Sequence, residues 1–346
     1  MLASIQLLRA VAAIAVAAFH VQFDLQRYFG LGERLPNLLI GAAGVDLFFV
    51  ISGFVMVWTS GHKFGVPGAA TDFLRRRVIR IVPLYWAVTA VYLAVIVAMP
   101  SSGPTYSPAD IATSLFFIPA LRPDGTIVQP IVGQGWSLNY EMFFYVLFAV
   151  ALLFKPKVGL PLLLLALAAL VSAHFSFELG TVLDFWTAPI VLEFILGLSI
   201  GLVARCGYFI PRPAGYCAVM LGLFLLFYPG LPVTDTNRVL FWGLPAAMIV
   251  GGLVLGKIEP PKICRSAIIL VGDASYALYL LHALCNRAFL MVASKAGLDI
   301  GAFVWPVLLL SVGFAIVVSI GAHLIFERPV TKWLRSGRGQ TIASTL

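Results

Sequence analysis

Apolar residues occur along this chain in long, nearly uninterrupted runs rather than in the alternating patterns of a soluble fold. Ten of these runs approach the length of about 20 residues that a helix needs to cross a bilayer. They lie near residues 5–22, 38–59, 78–99, 134–154, 158–174, 184–204, 214–229, 238–255, 267–292 and 302–325. We therefore expect an all-α integral membrane protein with about ten transmembrane helices.

The basic residues are distributed unevenly between the loops that connect these runs. Most of them fall in alternate loops, and the remaining loops hold only Arg27, Arg34, Arg122, Arg238 and Lys295. By the positive-inside rule, this asymmetry predicts that both termini are cytoplasmic and that the chain is a multi-pass protein of the cell (inner) membrane. The net charge of +8 then reflects membrane topology, and we expect no nucleic-acid partner.

The composition supports a single membrane domain. Of the 346 residues, 61% are hydrophobic and 11% are charged, whereas a soluble domain has roughly 25% charged residues. We expect one domain over residues 1–333 and a polar, disordered cytoplasmic tail over 334–346. The four cysteines have no metal-like spacing, so we expect no metal site.

Two ionisable residues, Arg9 and His20, interrupt the first apolar run. Eleven residues turn an α-helix by about 1100°, so both side chains should project from one face about 16 Å apart. Because lipid disfavours charged groups, the pair is a functional-site hypothesis. The alternative for Arg9 is a guanidinium that snorkels to the inner headgroups, and for His20 an interfacial histidine.

Other polar residues follow an asymmetric pattern across the predicted membrane. Asp46 and Glu141 fall in the outer half, and Arg75, Arg76, Arg77 and Arg80 cluster at the inner end of the third run. Arginines bind phosphates, and a histidine can take a proton from a hydroxyl. The layout suits a phosphate-bearing donor that meets a hydroxylic acceptor, but it equally suits a proton-coupled transporter.

Several strings resemble the membrane acyltransferase 3 family, and most closely its exopolysaccharide branch of the succinoglycan type. The resemblance extends from about Ser4 to Trp333. It is carried by the Arg-ten-residues-His spacing of Arg9 and His20, GAAGVDLFFVISGF at 41–54, FLRRRVIRIVPLYW at 73–86, GQGWSLNYEMFFY at 133–145, SYALYLLH at 275–282 and FERP at 326–329. This family transfers acyl groups, usually acetyl from acetyl-CoA, to hydroxyls of extracytoplasmic carbohydrates.

The resemblance implies specific roles for the catalytic candidates. His20 would be the general base, and Glu141 would be its partner or a ligand of the acceptor hydroxyl. Arg9 would orient the donor. Asp46 is the fourth catalytic candidate, although a buried aspartate can equally bond a neighbouring helix or an arginine.

Further residues are candidates for binding the donor and the acceptor. Arg77 and Arg80 match the family's paired arginines before a proline, and with Arg76 they would bind the phosphates of acetyl-CoA. The residues expected to line the substrate passage are Trp136, Ser137, Asn139, Tyr276 and His282. Ser137, Asn139 or a backbone amide could stabilise the oxyanion. Direct transfer and a two-step route through acetylated His20 both fit.

The resemblance therefore predicts a membrane O-acetyltransferase that uses acetyl-CoA and modifies a polysaccharide or its lipid-linked sugar precursor. Its partners would be this acceptor, the lipid bilayer and, as a further option, polysaccharide-assembly machinery. One alternative is a proton-coupled transporter or flippase of a lipid-linked saccharide. Another is a non-catalytic scaffold in polysaccharide export, which would leave the buried polar residues unexplained.

Overall fold

A computed structural model describes residues 2–99, 104–228 and 233–336 of the chain. Within these ranges the regular structure is helical, apart from one isolated bridge between Leu121 and Val128. The α-helices are α1 (Ala3–Phe29), α2 (Gly44–Ser60), α3 (Ala69–Ala98), α4 (Pro108–Leu115), α5 (Trp136–Leu152), α6 (Pro156–Ser176), α7 (Gly180–Thr187), α8 (Leu192–Arg205), α9 (Arg212–Phe227), α10 (Leu244–Leu255), α11 (Arg265–Asp273), α12 (Ser275–Lys295), α13 (Val304–Ala322) and α14 (Arg328–Ser336).

Eight helical segments among the described residues are long and apolar enough to cross a membrane. They are Ala3–Phe29, Leu39–Ser60, Ala69–Ala98, Gly133–Leu152, Pro156–Ser176, Gly180–Arg205, Ser275–Lys295 and Val304–Ser336. The seventh and eighth runs predicted from the sequence form the shorter apolar helices Arg212–Phe227 and Val239–Leu255. The all-α membrane architecture is thus confirmed, with eight full-length candidate spans where the sequence predicted ten.

The sequence prediction was wrong about the start of one helix and about the continuity of another. The third run was placed at 78–99, but α3 begins at Ala69, so the arginines before residue 81 lie inside a continuous helix. The ninth run was placed at 267–292, but the helix is broken at Ala274 between α11 and α12. Hydropathy missed both features, because charged residues continue a helix without being apolar, and apolar residues lie on both sides of the break.

The helices form two compact units, one made of Met1–Trp58 and Glu193–His323 and the other of Thr59–Leu192 and Leu324–Leu346. In the first unit, α1 packs against α10, α11, α12 and α13. Its buried apolar side chains include Ile5, Val16 and Leu25. A helix that contacts four others buries much of its surface, and the ionisable residues Arg9 and Asp24 of α1 are buried.

Glycines allow α2 and α8 to cross at very close range in the first unit. A Cβ atom at Gly53 would collide with the carbonyl oxygen of Phe194, and one at Gly197 would collide with the carbonyl oxygen of Val50. The two backbones therefore touch where each helix lacks a side chain, as is common in membrane helix pairs. This crossing places Asp46 and Glu193 on adjacent helices.

In the second unit, α3 packs against α4, α5 and α14. The Tyr85 hydroxyl of α3 lies 3.1 Å from the hydroxyl of Ser114 in α4. On α5 and α6, the missing side chain of Gly159 allows contact with the carbonyl oxygen of Ala151. These contacts fix α3, which carries the arginines, and α5, which carries Glu141.

The two-unit division does not decide whether residues 1–333 fold as one domain, so the single-domain expectation stays a prediction. The expected disordered tail began at residue 334. Residues 334–336 instead complete α14, and residues 337–346 of that tail lie outside the described residues.

We expect Gly197→Ala to destabilise the protein, because the added methyl group would force α2 and α8 apart. Overpacking of this kind costs about 1–3 kcal/mol. The measurement is the thermal unfolding midpoint of the detergent-solubilised protein. Gly313→Ala is the matched control, since no atom lies within 4 Å of the added Cβ there. Equal midpoints for the two variants would contradict the close crossing.

Candidate active site

His20 lies on α1, and one of its ring nitrogens forms a hydrogen bond to the helix backbone. Its Nδ1 lies 2.8 Å from the carbonyl oxygen of Val16, one turn earlier in the helix. A carbonyl can only accept a hydrogen bond, so Nδ1 carries the hydrogen. The Nε2 atom of the neutral ring is then left with its lone pair, which is the form that a general base requires.

His282 of α12 lies directly beside His20. The two ring centroids are 4.7 Å apart, with an angle of 61° between the ring planes. Nδ1 of His282 also bonds a helix carbonyl, that of Leu278 at 3.1 Å, so it is in the same tautomer. Its Nε2 is buried and has no hydrogen-bond partner within the described residues. The sequence placed both histidines in the site but did not predict that they are neighbours.

An ion pair lies one helical turn from the histidines. Asp24 of α1 is 2% exposed, and its Oδ1 lies 3.6 Å from Nε of Arg287 on α12. Burial raises the cost of a carboxylate, and the guanidinium offsets it. Asp24 was not among the candidates predicted from the sequence. Its position four residues after His20, on the same helix face, was the available signal.

Arg9 is held by protein contacts. The side chain is 9% exposed, and its Nε donates a 3.1 Å hydrogen bond to the hydroxyl of Ser275. This geometry favours a protein-facing arginine over one that snorkels to the headgroups. Tyr276, a predicted passage residue, is buried next to Ser275. Arg9 and His20 belong to one unbroken helix, as the spacing predicted.

Asp46 is fully buried and is engaged by an arginine that the sequence assigned to an outer loop. Nε and Nη2 of Arg238 bond its two oxygens at 2.9 and 2.8 Å. Arg238 also stacks over Trp242, with its central carbon 4.8 Å from the ring centroid. This bidentate pair matches the ion-pair interpretation of Asp46, and a catalytic role for Asp46 stays a prediction.

A second buried acid accompanies this pair. Glu193 is fully buried on α8, close enough to Asp46 and Arg238 to interact with both electrostatically. Its carboxyl group lies within hydrogen-bonding reach of that of Asp46. Two carboxyl groups thus share one arginine. No motif in the sequence singles out Glu193.

In the second unit, Glu141 is connected to one of the predicted donor-binding arginines. The hydroxyl of Tyr145 donates a hydrogen bond to Glu141. The guanidinium of Arg77 lies over the ring of Tyr145, 5.0 Å from its centroid, and over Phe73 at 5.1 Å. Tyr145 therefore links Glu141, a predicted catalytic residue, to Arg77, a predicted donor-binding residue. Tyr145 itself was not among the predicted site residues.

The passage residues of α5 cluster at the first turn of that helix. Ser137 is buried and its hydroxyl donates to the carbonyl oxygen of Gln134 at 3.4 Å. Asn139 is 1% exposed, and its Oδ1 accepts no hydrogen bond within the described residues. Trp136 contacts Tyr140 edge to face. Asn139 is therefore the member of this group with unused hydrogen-bonding capacity.

The arginines of α3 differ in the protein groups that they contact. Arg76 pairs with Asp72, which also lies 3.4 Å from Lys63. Arg75 donates a 2.9 Å hydrogen bond to the carbonyl oxygen of Leu334. Arg80 is half-buried and has no ion-pair or hydrogen-bond partner among the described residues. Arg80 is thus the most available of the predicted phosphate ligands.

The predicted site residues are divided between the two units. Arg9, His20, Asp46, Tyr276 and His282 belong to the first, whereas Arg76, Arg77, Arg80, Trp136, Ser137, Asn139 and Glu141 belong to the second. His20 with His282, and Glu141 with Arg77, are brought together within their units. The pairing of Glu141 with His20 stays a prediction. No group of three metal-binding side chains occurs in the part of the chain that is described.

Comparison with known proteins gives a consistent result. The chain is 34% identical over 317 residues to the exopolysaccharide production protein ExoZ of Rhizobium meliloti (strain 1021), covering 90% of this chain and 95% of that protein. It is 26% identical over 313 residues to the acyltransferase MdmB of Streptomyces mycarofaciens, covering 81% and 78% of the two chains.

A third relative is protein 2 in the picA locus of Rhizobium radiobacter. It is 31% identical over 153 residues, which cover 39% of this chain and 74% of that protein. No solved structure matches the chain. The family model described as an acyltransferase domain matches residues 2–324. The chain therefore belongs to the membrane acyltransferase 3 family.

Proposed function

We propose that this acyltransferase moves acetyl from cytoplasmic acetyl-CoA to a sugar hydroxyl of an exopolysaccharide, a cell-surface polysaccharide or a lipid-linked precursor, in the cell (inner) membrane. The resemblance of the chain to an exopolysaccharide production protein supports the acceptor class. The observation that carries the chemistry is the 2.8 Å contact between Nδ1 of His20 and the Val16 carbonyl oxygen, which leaves the lone pair of the neutral ring on Nε2.

In the proposed reaction, Nε2 of His20 accepts the proton of the sugar hydroxyl as the oxygen attacks the thioester carbonyl. The tetrahedral intermediate then collapses, its carbon–sulfur bond breaks, and the coenzyme A thiolate leaves. The thiolate takes the proton from His20, which returns to its neutral form. Protons balance without a further base.

A two-step route uses the same nitrogen as the nucleophile. Nε2 of His20 would attack the thioester and form an acetyl-imidazole as the carbon–sulfur bond breaks and coenzyme A thiolate leaves. The sugar hydroxyl would then displace His20 from the acetyl group, and its proton would go to the thiolate. Labelled acetyl-CoA added without acceptor distinguishes the two routes. A label bound covalently at His20 supports the two-step route. Its absence, in a preparation that transfers acetyl once acceptor is added, supports direct attack.

His282 contributes an acceptor beside the ring that becomes positively charged. A neutral imidazole with a free Nε2 can stabilise an adjacent imidazolium by hydrogen bonding or through its dipole. The buried, unpartnered Nε2 of His282 is in the required form. A residue that only filled space would not leave a buried nitrogen unpaired at a cost of about 1–3 kcal/mol.

The transporter or flippase alternative has one specific observation in its favour. Buried ionisable groups recur along α1 and α12, as a proton path would require. It predicts saccharide movement into vesicles without acetyl-CoA. The proposed enzyme instead consumes one acetyl-CoA for each ester formed.

We expect His20→Ala to reduce polysaccharide O-acetylation by about 10²-fold or more, because loss of a general base typically costs 10²–10⁴-fold. The measurement is the acetyl content of purified polysaccharide by NMR, at membrane abundance equal to that of the unaltered protein. His62→Ala is the control, since His62 is exposed and outside the proposed site. Normal acetylation in the His20→Ala strain would rule out the proposed mechanism.

We expect His282→Gln to retain most of the transfer rate, whereas His282→Met should lose about 10-fold or more. Both side chains have similar size, but only glutamine places an acceptor oxygen near the position of Nε2. The initial rate of labelled acetyl transfer in membrane vesicles measures the difference. A packing role would reverse the order, because methionine suits an apolar site better than an amide does.

A further inference from the structure

The last described helix reaches the arginine cluster of α3. Helix α14 packs against α3, and Nη2 of Arg75 donates a 2.9 Å hydrogen bond to the carbonyl oxygen of Leu334. The next residue is Arg335. Because its neighbour is fixed to α3, the guanidinium of Arg335 interacts electrostatically with those of Arg76, Arg77 and Arg80. Arg335 and three arginines of α3, Arg76, Arg77 and Arg80, therefore lie in one region of the second unit. These four residues are called the donor cluster below.

The donor cluster has a large excess of positive charge. Among the described residues, Asp72 is a carboxylate that pairs with it, and Asp72 is shared by Arg76 and Lys63. Arg77 is held over the rings of Phe73 and Tyr145. Arg80 and Arg335 have no hydrogen bond or ion pair within the described ranges. Like charges gathered in one region repel one another, and Arg335 experiences this repulsion from Arg80, Arg76 and Arg77.

An anion would convert this repulsion into attraction. Guanidinium groups present a planar pair of donors that fits two oxygens of a phosphoryl group, and several can bind one phosphate from different sides. The cluster combines two unpartnered guanidiniums with two that are already oriented by Asp72 and by the aromatic rings. Such an arrangement suits a multiply charged phosphoryl ligand rather than a single carboxylate.

We propose that Arg335 and Arg80 together bind a phosphoryl group of the coenzyme A donor, so that α14 completes the donor site begun by α3. This inference rests on the proposed function, since it takes acetyl-CoA as the donor. Coenzyme A presents two kinds of phosphoryl group, a 3′-phosphate and a diphosphate. An anionic lipid headgroup offers the same chemistry, and the experiment separates these sources.

The test is equilibrium binding of coenzyme A to the full chain in nanodiscs, which needs no acceptor. Arg335→Gln should raise the Kd about tenfold, the effect expected from losing a charge-assisted phosphate contact. Arg335→Lys should show a smaller rise, because lysine keeps the charge but not the paired donors. Lys157→Gln is the control, since it removes one exposed positive charge elsewhere in the same unit.

Two comparisons identify the source of the phosphoryl group. If Arg335 contacts the 3′-phosphate, its loss should weaken binding of coenzyme A but not of 3′-dephospho-coenzyme A. If it contacts the diphosphate, both ligands should weaken equally. Either result supports the proposal. Nanodiscs of pure phosphatidylcholine and nanodiscs with added phosphatidylglycerol should give the same ratio of variant to unaltered Kd.

Other results overturn the inference. An unchanged Kd for Arg335→Gln would remove Arg335 from the donor site, and an effect seen only with phosphatidylglycerol would assign it to lipid binding. Failure of the unaltered chain to bind coenzyme A would instead overturn the proposed acetyl donor. Failure of the inference is thereby distinguishable from failure of the proposed function.

Discussion

The contact between α1 and α12 pairs polar side chains of the first unit at several levels along the two helices. Arg9 meets Ser275, His20 meets His282, and Asp24 meets Arg287, in the same order along both helices. The two helices therefore run parallel, with polar contacts at three successive levels. Each of these groups would be costly in lipid, so the pairing is the condition for having them in a membrane at all.

The crossing of α2 and α8 is stabilised differently from the contact between α1 and α12. There, glycines bring the backbones into contact, and the buried Asp46 faces a bidentate arginine with Glu193 nearby. A buried ion pair of this kind contributes little net stability but is strongly destabilising when one partner is lost. The first unit thus combines close apolar packing with polar contacts that tolerate only one arrangement of its helices.

Much of the membrane architecture was predictable, because a spanning helix is encoded in about 20 adjacent residues. The sequence also identified His20 and His282 individually. It could not show that their rings touch, since that depends on α1 lying beside a helix from the far end of the chain. Arg238 was assigned to a loop for the same reason. Its partner Asp46 is distant in sequence, and a charge that flanks an apolar run resembles an ordinary topology signal.

The donor-binding arginines illustrate the same limit in the second unit. Arg77 and Arg80 belong to one local motif and were found from it. Arg335 lies in a segment expected to end the ordered chain, and only the packing of α14 on α3 brings it to the cluster. The local motif was therefore sufficient to identify Arg77 and Arg80, whereas Arg335 could be identified only from a tertiary contact.

The parallel pairing of α1 with α12 also has a consequence for biosynthesis. A ribosome makes α1 about 240 residues before α12, so Arg9, His20 and Asp24 are synthesised long before their partners exist. During that interval the first helix carries polar side chains without these partners, and such side chains are costly in lipid. A chain truncated before α12 would leave α1 permanently in this state, and quality-control proteases would meet a helix that lipid does not accept.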